Sequence, residues 1–473
     1  MNALCNSALS YRATFRPELI ASSDTRPWAA SCWRSLVFCG LFSIIFLPEF
    51  LHEGDGTAGS FVYTKVAGGF RFIDVGILAL VLLHLVALAC SRKQIVHFPR
   101  ALAFPGLAFL GCIATGIWYG HMRGGTNFFF DWRALALGIG LYFVWNFWIQ
   151  SPAELQNTVR LVAIYVGVRI ALLYALYLTG HGETLLGVPI PTFDGPALSE
   201  IVFTALLAFR YQESSVNSVH KFLWMALAGA AYLIVLLCFR RTYWGELAIG
   251  TAILLLLQQR HRVRNFLLVG TMVCAAAVTL GKPFAARVQS LDFMQRDSEF
   301  GADNSDHLHD LLDAWDQVRA SPVMGIGVGT AYPTWRIRKW KNESVMVHNA
   351  PIHVWLKYGA IGLMCYLWFH ARLLRWLHAR SKYLVPNDAA FLNVAFAYLT
   401  AQFAMTLGFA PWPYSELQLT TLISFILAVA FSGAFSSSLQ NLAGERRHAL
   451  CHFQLSPSLP RRSMAANLSR TQS

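Results

Sequence analysis

Apolar runs close to twenty residues long recur along most of this chain, and few folds can accommodate them. Crossing about 30 Å of hydrocarbon takes about 20 residues of α-helix. Runs of that order stand at about 35–50, 72–90, 101–119, 133–149, 159–178, 197–212, 222–239, 243–257, 265–281, 350–371, 387–409 and 415–434. Only 13% of the residues are charged and 55% are apolar, whereas a soluble chain would carry roughly a quarter charged residues. Phe, Trp and Tyr make up 14%, as aromatic belts at two membrane interfaces require. The expected fold is all-α: a polytopic membrane protein with about 12 transmembrane helices and one large outward-facing loop (about 282–349) between the ninth and tenth.

Twelve is even, so both termini fall on one side. The connections at 91–100, 258–264 and 372–386 are short and rich in Arg and Lys, which places them in the cytoplasm together with the termini. The chain then divides into a cytoplasmic N-terminal segment (1–34), a transmembrane region (35–434) and a disordered cytoplasmic tail (435–473). The formal net charge of +13 belongs largely to such connections and to the tail, so it sets orientation and does not point to nucleic acid. Segment 1–33 lacks a short apolar core with a cleavage site and is not read as a removable signal. None of the nine cysteines forms a C-x-x-C pair. Those in apolar runs read as small buried hydrophobes, with no disulfide framework and no metal.

Chemistry is expected where polar residues gather against this background. From Ser305 the sequence SDHLHDLLDAWDQVRASP has helical spacing, with Leu308, Leu311, Leu312 and Trp315 three or four apart as its apolar positions. A glycine-rich turn (Pro322–Gly329) is read as bringing the loop back onto the bundle. A basic segment with Arg336 and Arg338 leads to His348 and Asn349 before the tenth run. Asp310, Asp313 and Asp316 share one face of the helix, with His307 and His309 near; an acidic, solvated face is the favoured reading and a metal site the lesser one. Arg240 and Arg241 stand at the outer end of the seventh run, where positive charge is disfavoured. They read either as snorkelling to lipid phosphates or as an anion site for a diphosphate, with Glu246 able to fix one of them. Arg169 lies mid-span and needs a partner, Glu200 or Asp74, or a substrate. His348 reads as an interfacial polar residue or as a group that accepts a proton near neutral pH.

The pattern W-x-x-x-R-A-S-P-V-M-G-I-G-V-G, then V-H-N-A-P, then L-K-Y-G-A-I-G-L resembles the O-antigen ligase and polymerase superfamily. The resemblance extends to a large loop between the ninth and tenth spans and to arginines at the position of Arg240 and Arg241. It implies an inverting, metal-independent membrane glycosyltransferase of the bacterial inner membrane, with no cofactor and its active site on the periplasmic side. Such an enzyme polymerises or ligates a glycan (O-antigen or exopolysaccharide) carried on undecaprenyl diphosphate, moving it to a glycan or lipid acceptor alongside polysaccharide-assembly proteins. By that likeness His348, Arg240 and Arg241 are catalytic. Substrate contacts fall to Arg319, Asn349, Arg336, Arg338, His309 and Arg169. The chain departs from the family pattern at Leu311, where an arginine is common and Arg319, His309 or Arg296 would substitute, and at Lys357, where an acid is common. The competing reading is a transporter or flippase of a lipid-linked or anionic substrate, which would also use intramembrane arginines; a structural membrane subunit leaves the outward arginine pair unexplained.

Overall fold

The computed structural model describes residues 65–67, 70–90, 97–126, 128–180, 183–185, 188–191, 195–215, 217–257, 270–271, 281, 299–336, 343–344, 346–382, 384, 386–408 and 417–435. The chain divides into two units, Met1–Ile44 and Ile45–Ser473, and every described residue belongs to the second. Its helices are α1 (Phe72–Cys90), α2 (Arg100–Met122), α3 (Phe128–Trp148), α4 (Pro152–Leu178), α5 (Gly195–Ser214), α6 (Ser218–Leu237), α7 (Arg241–Leu257), α8 (Glu299–Ala320), α9 (Ala350–Ser381), α10 (Pro386–Thr406) and α11 (Leu417–Phe431). Three antiparallel two-stranded ladders sit in connections: β1 (Lys65–Ala67) with β2 (Phe70–Arg71), β3 (Glu183–Leu185) with β4 (Val188–Ile190), and β5 (Tyr332–Pro333) with β6 (Glu343–Ser344).

All but the first and ninth of the expected apolar runs coincide with one of these helices; the first, and most of the ninth, lie outside the described residues. Among the described residues four helices are long and apolar enough to cross a membrane: Arg100–Met122, Pro152–Leu178, Ser218–Leu237 and Ala389–Thr406. Shorter apolar stretches run over Asp74–Val86 and Leu419–Phe435. The architecture is that of an all-α membrane protein. Large apolar side chains face outward on the peripheral helices, among them Leu83 and Val86 on α1, Phe104 and Leu107 on α2, Ile164 on α4 and Phe222 on α6. Water would penalise such a surface, and hydrocarbon does not.

At the centre stands α5, buried at every residue from Leu198 to Phe209. A stretch buried on all sides has no solvent face and must be surrounded; α5 packs against α4, α6, α7, α10 and α11. Two charges inside the bundle are paired. Arg169 on α4 meets Glu200 on α5 at 2.9 Å, both buried, so Glu200 is its partner, while Asp74 meets Arg133 at 3.4 Å. A charge in hydrocarbon persists only in such company.

The glycine turn after α8 seats on the bundle by exchanging backbone bonds with a broken helix. Gly359 interrupts α9 with φ 69° and ψ −176°. In a continuous helix the N–H of Ala360 would bond the carbonyl of Leu356. Here Ala360 N–H donates to Pro322 O at 3.0 Å, and Ile326 N–H takes the Leu356 carbonyl at 2.7 Å. Val328 N–H donates to Gly116 O on α2 at 2.9 Å. The approach is so close that only glycines fit: a Cβ on Gly325 would stand 2.5 Å from Leu356 O, and one on Gly359 would collide with Val323 O. The reading of this turn as a return onto the bundle holds, and the break in α9 is what receives it. Gly359→Ala should therefore cost at least about 2 kcal/mol through left-handed backbone strain plus the collision. In detergent its thermal midpoint should fall well below that of Gly111→Ala, a helical glycine with open space around it; equal midpoints would refute the seating.

Candidate functional site

His348 and Asn349 end the extended segment that leads into α9, and the local sequence dictates their geometry. Pro351 at the first turn of α9 cannot donate an N–H, and Asn349 caps the helix instead: its side-chain oxygen accepts from Ile352 N at 3.0 Å. The same side chain donates its amide to Leu407 O at 3.1 Å and Gly408 O at 2.6 Å, just beyond the end of α10. Asn349, expected as a substrate contact, thus has both polar atoms engaged in tying one helix start to another helix end.

His348 is held by α8. Its Nδ1 lies 3.2 Å from Asp310 Oδ2, and its backbone N–H donates to the same oxygen at 3.2 Å. The other carboxylate oxygen accepts from Tyr332 Oη at 2.5 Å, and Tyr332 Oη also lies 3.1 Å from the Met346 carbonyl. Asp310 is completely buried while the His348 side chain is 24% exposed, so the acid is internal and the imidazole reaches the surface. Burial first, and the Asp310 charge second, push the Tyr332 hydroxyl far above its ordinary pKa. It therefore stays a donor to Asp310 across the accessible pH range.

The neighbouring aspartates anchor the rest of the loop. Asp313, also fully buried, accepts from Arg336 Nη1 at 2.5 Å and from its backbone N–H at 3.2 Å; Asp316 accepts from Nη2 at 2.8 Å. Hydrogen bonding to Asp316 is the main cause that raises the Arg336 pKa above its usual value. The expectation of a solvated acidic face is therefore wrong: two of the three carboxylates point inward and the third is part of the clamp on Arg336. Of the expected apolar positions, Leu311 and Trp315 are partly buried against a small core, whereas Leu308 and Leu312 are exposed. The buried face of α8 carries Asp310, Asp313, Ala314 and Val318, the last two in a small core with Ile326, Tyr332, Val347 and Leu356. Among the described residues no cluster of His, Cys, Asp or Glu is arranged to hold a metal ion.

The other expected residues scatter more widely. Arg319 is exposed at the end of α8 and stacks over Trp315 at 5.8 Å; Trp315 meets Trp355 edge-on at 5.4 Å. His309 is half-buried beside Asp310, but adjacent helix positions face different ways. Arg336 serves the aspartates, and Arg169 sits inside the bundle with Glu200. Arg338 and Arg296 lie outside the described residues, as does the side chain of His307. Arg240 and Arg241 occupy the corner between α6 and α7, where Phe239 takes φ 52° and Trp244 Nε1 donates to Val235 O at 3.0 Å. Glu246 follows, buried in α7. The start of α7 lies on the end of α10: a Cβ on Gly245 would stand 2.5 Å from Met405 Sδ. Asn349 binds the carbonyls two and three residues beyond Met405, so the arginine corner and the His348 step converge on one helix end.

Sequence reasoning missed Tyr332, the inward role of Asp310, and Lys357. Lys357 is fully buried, with Nζ donating to Thr330 O at 2.7 Å, so the residue standing where an acid is common ties the glycine turn to α9. The three-residue spacing of the aspartates was the available signal.

Asp313→Asn should lower the thermal midpoint of the protein, and adding Arg336→Ala should lower it little further, because the first change already breaks the clamp. Additive losses in that double-mutant cycle would show that the two side chains do not act together.

Residues 224–367 match the family model described as O-antigen ligase. No curated protein matches the chain. The matched stretch contains Arg240, Arg241, Asp310, Tyr332, His348, Asn349 and Lys357, and leaves Arg169 outside.

Proposed function

We propose, from the match of residues 224–367 to the family model described as O-antigen ligase, that the chain is an inverting membrane glycosyltransferase of glycan-ligase or polymerase type acting on undecaprenyl-diphosphate-linked glycan. It polymerises or ligates that glycan at the periplasmic face of a bacterial inner membrane, through about twelve spans with both termini cytoplasmic. One observation carries the proposal. A buried carboxylate, Asp310, holds the partly exposed His348 at the same bundle end as the corner bearing Arg240 and Arg241.

In this reading the acceptor hydroxyl attacks the anomeric carbon as the bond from that carbon to the diphosphate oxygen breaks, inverting the centre. Asp310 accepts from Nδ1–H of His348, which leaves Nε2 as the ring atom that takes the acceptor's proton. Tyr332 and the backbone N–H of His348 keep that carboxylate aimed. Arg240 and Arg241 receive the departing diphosphate, whose charge grows as the bond breaks. They supply the positive charge that a divalent cation provides elsewhere. Arg319, exposed beside Trp315, is positioned to meet glycan rather than to take part in bond making. Transport is the weaker account: the intramembrane arginine it would use, Arg169, is neutralised by Glu200.

Single replacements His348→Ala, Arg240→Ala and Arg241→Ala should each reduce transfer about 100-fold or more at normal protein levels. Protein in lipid discs, supplied with undecaprenyl-diphosphate-linked glycan, provides the assay; growth on the same lipid identifies a polymerase and movement to another acceptor a ligase. Asp310→Asn should retain the lipid-linked donor while lowering turnover. Transfer undiminished in all three first variants sinks the enzymatic reading.

A further inference from the structure

A cleft lies between the start of α4, the end of α5 and the start of α6, with a volume of about 520 Å³. It is remote from His348. Its wall includes His220 and Trp224 near the start of α6, whereas Arg240 follows the end of that helix. Twenty residues of helix separate the two ends by about 30 Å, the thickness of the hydrocarbon layer. The cleft therefore opens in the leaflet opposite the candidate active site.

Its chemistry is divided. The inner walls are apolar, from Leu155, Val159, Ala163 and Leu227, and the rim residues Ile164 and Leu223 are exposed sideways, where lipid chains lie. The polar part includes Arg160, Gln156, Ser215 and His220, and among the described residues no acidic side chain lines the cleft. The nearest carboxylates in sequence are engaged elsewhere. Glu154 accepts from the N–H of Gln150 at 2.8 Å and of Ser151 at 3.0 Å, capping α4, and Glu213 pairs with Arg210 at 2.9 Å. Tyr211 and Trp224 stand 5.5 Å apart at this level, the amphipathic pair expected where head groups meet hydrocarbon.

We propose that this cleft is a binding site for an anionic glycerophospholipid, with an acyl chain along the Leu155–Val159–Leu227 wall and the head-group phosphate on Arg160. A cation with apolar floor below it and no lining acid favours a negatively charged amphiphile over a zwitterionic one. The site rests on the membrane fold alone and is independent of the glycan chemistry.

Full-length protein exchanged into discs containing equal phosphatidylglycerol and phosphatidylcholine, then released and weighed by native mass spectrometry, provides the test. Wild type should retain phosphatidylglycerol roughly tenfold over phosphatidylcholine, the scale of one charged hydrogen bond. Arg160→Gln, a change at an exposed position, should erase the preference while the protein stays monodisperse. Ala163→Trp should fill the floor and reduce retention of both lipids. Equal retention of the two lipids by wild type, or an undiminished preference in Arg160→Gln, overturns the proposal.

Discussion

The exchange of backbone hydrogen bonds between the Pro322–Thr330 turn and the broken α9 helix is the constraint on which the site depends. A helix interrupted at Gly359 leaves the Leu356 carbonyl and the Ala360 N–H without their usual partners, and burying either unsatisfied would be costly. The turn supplies both, through Ile326 N–H and Pro322 O. Because backbone bonds onto backbone with no intervening side chain, the fit tolerates no displacement. It fixes where α8 ends, and so where the Asp310–Asp313 face meets the segment before α9.

Burial of the aspartates follows from that seating. A carboxylate leaves water only where donors replace it, and each of these has donors from distant chain. Asp310 is served by Tyr332, 22 residues on, and by His348, 38 residues on; Asp313 is served by Arg336, 23 residues on. Each carboxylate thus closes a loop and positions a side chain at once. His348 is oriented by an anion it cannot leave without exposing that anion to an apolar surround. Such support from an interior group gives a surface imidazole a defined direction.

The two ends of the bundle also differ in kind. The end bearing His348 is built of helix starts and ends laced by Asn349 and the glycine turn, with cations at the α6–α7 corner. The end bearing the 520 Å³ cleft is apolar below and cationic at its mouth. Between them the buried stretch Leu198–Phe209 of α5 is apolar apart from Glu200 and its small polar neighbours Ser199 and Thr204, and Arg169 answers Glu200 directly.

What the residue order determined alone was the placement of helices: run length and apolarity suffice, because hydrocarbon forces the backbone to bond within each segment. It also located the polar region between α8 and α9, since charge density drops on both sides of it. The direction in which each polar residue points was a tertiary matter. Periodicity put Leu308 and Leu312 inward and the aspartates out, and the fold did the reverse, because burial of an acid is decided by donors that arrive from elsewhere in the chain. The same holds for Arg169, whose choice of Glu200 over Asp74 rests on α4 packing against α5, and for Gly359, whose break in α9 has meaning only once the turn from Pro322 fills it.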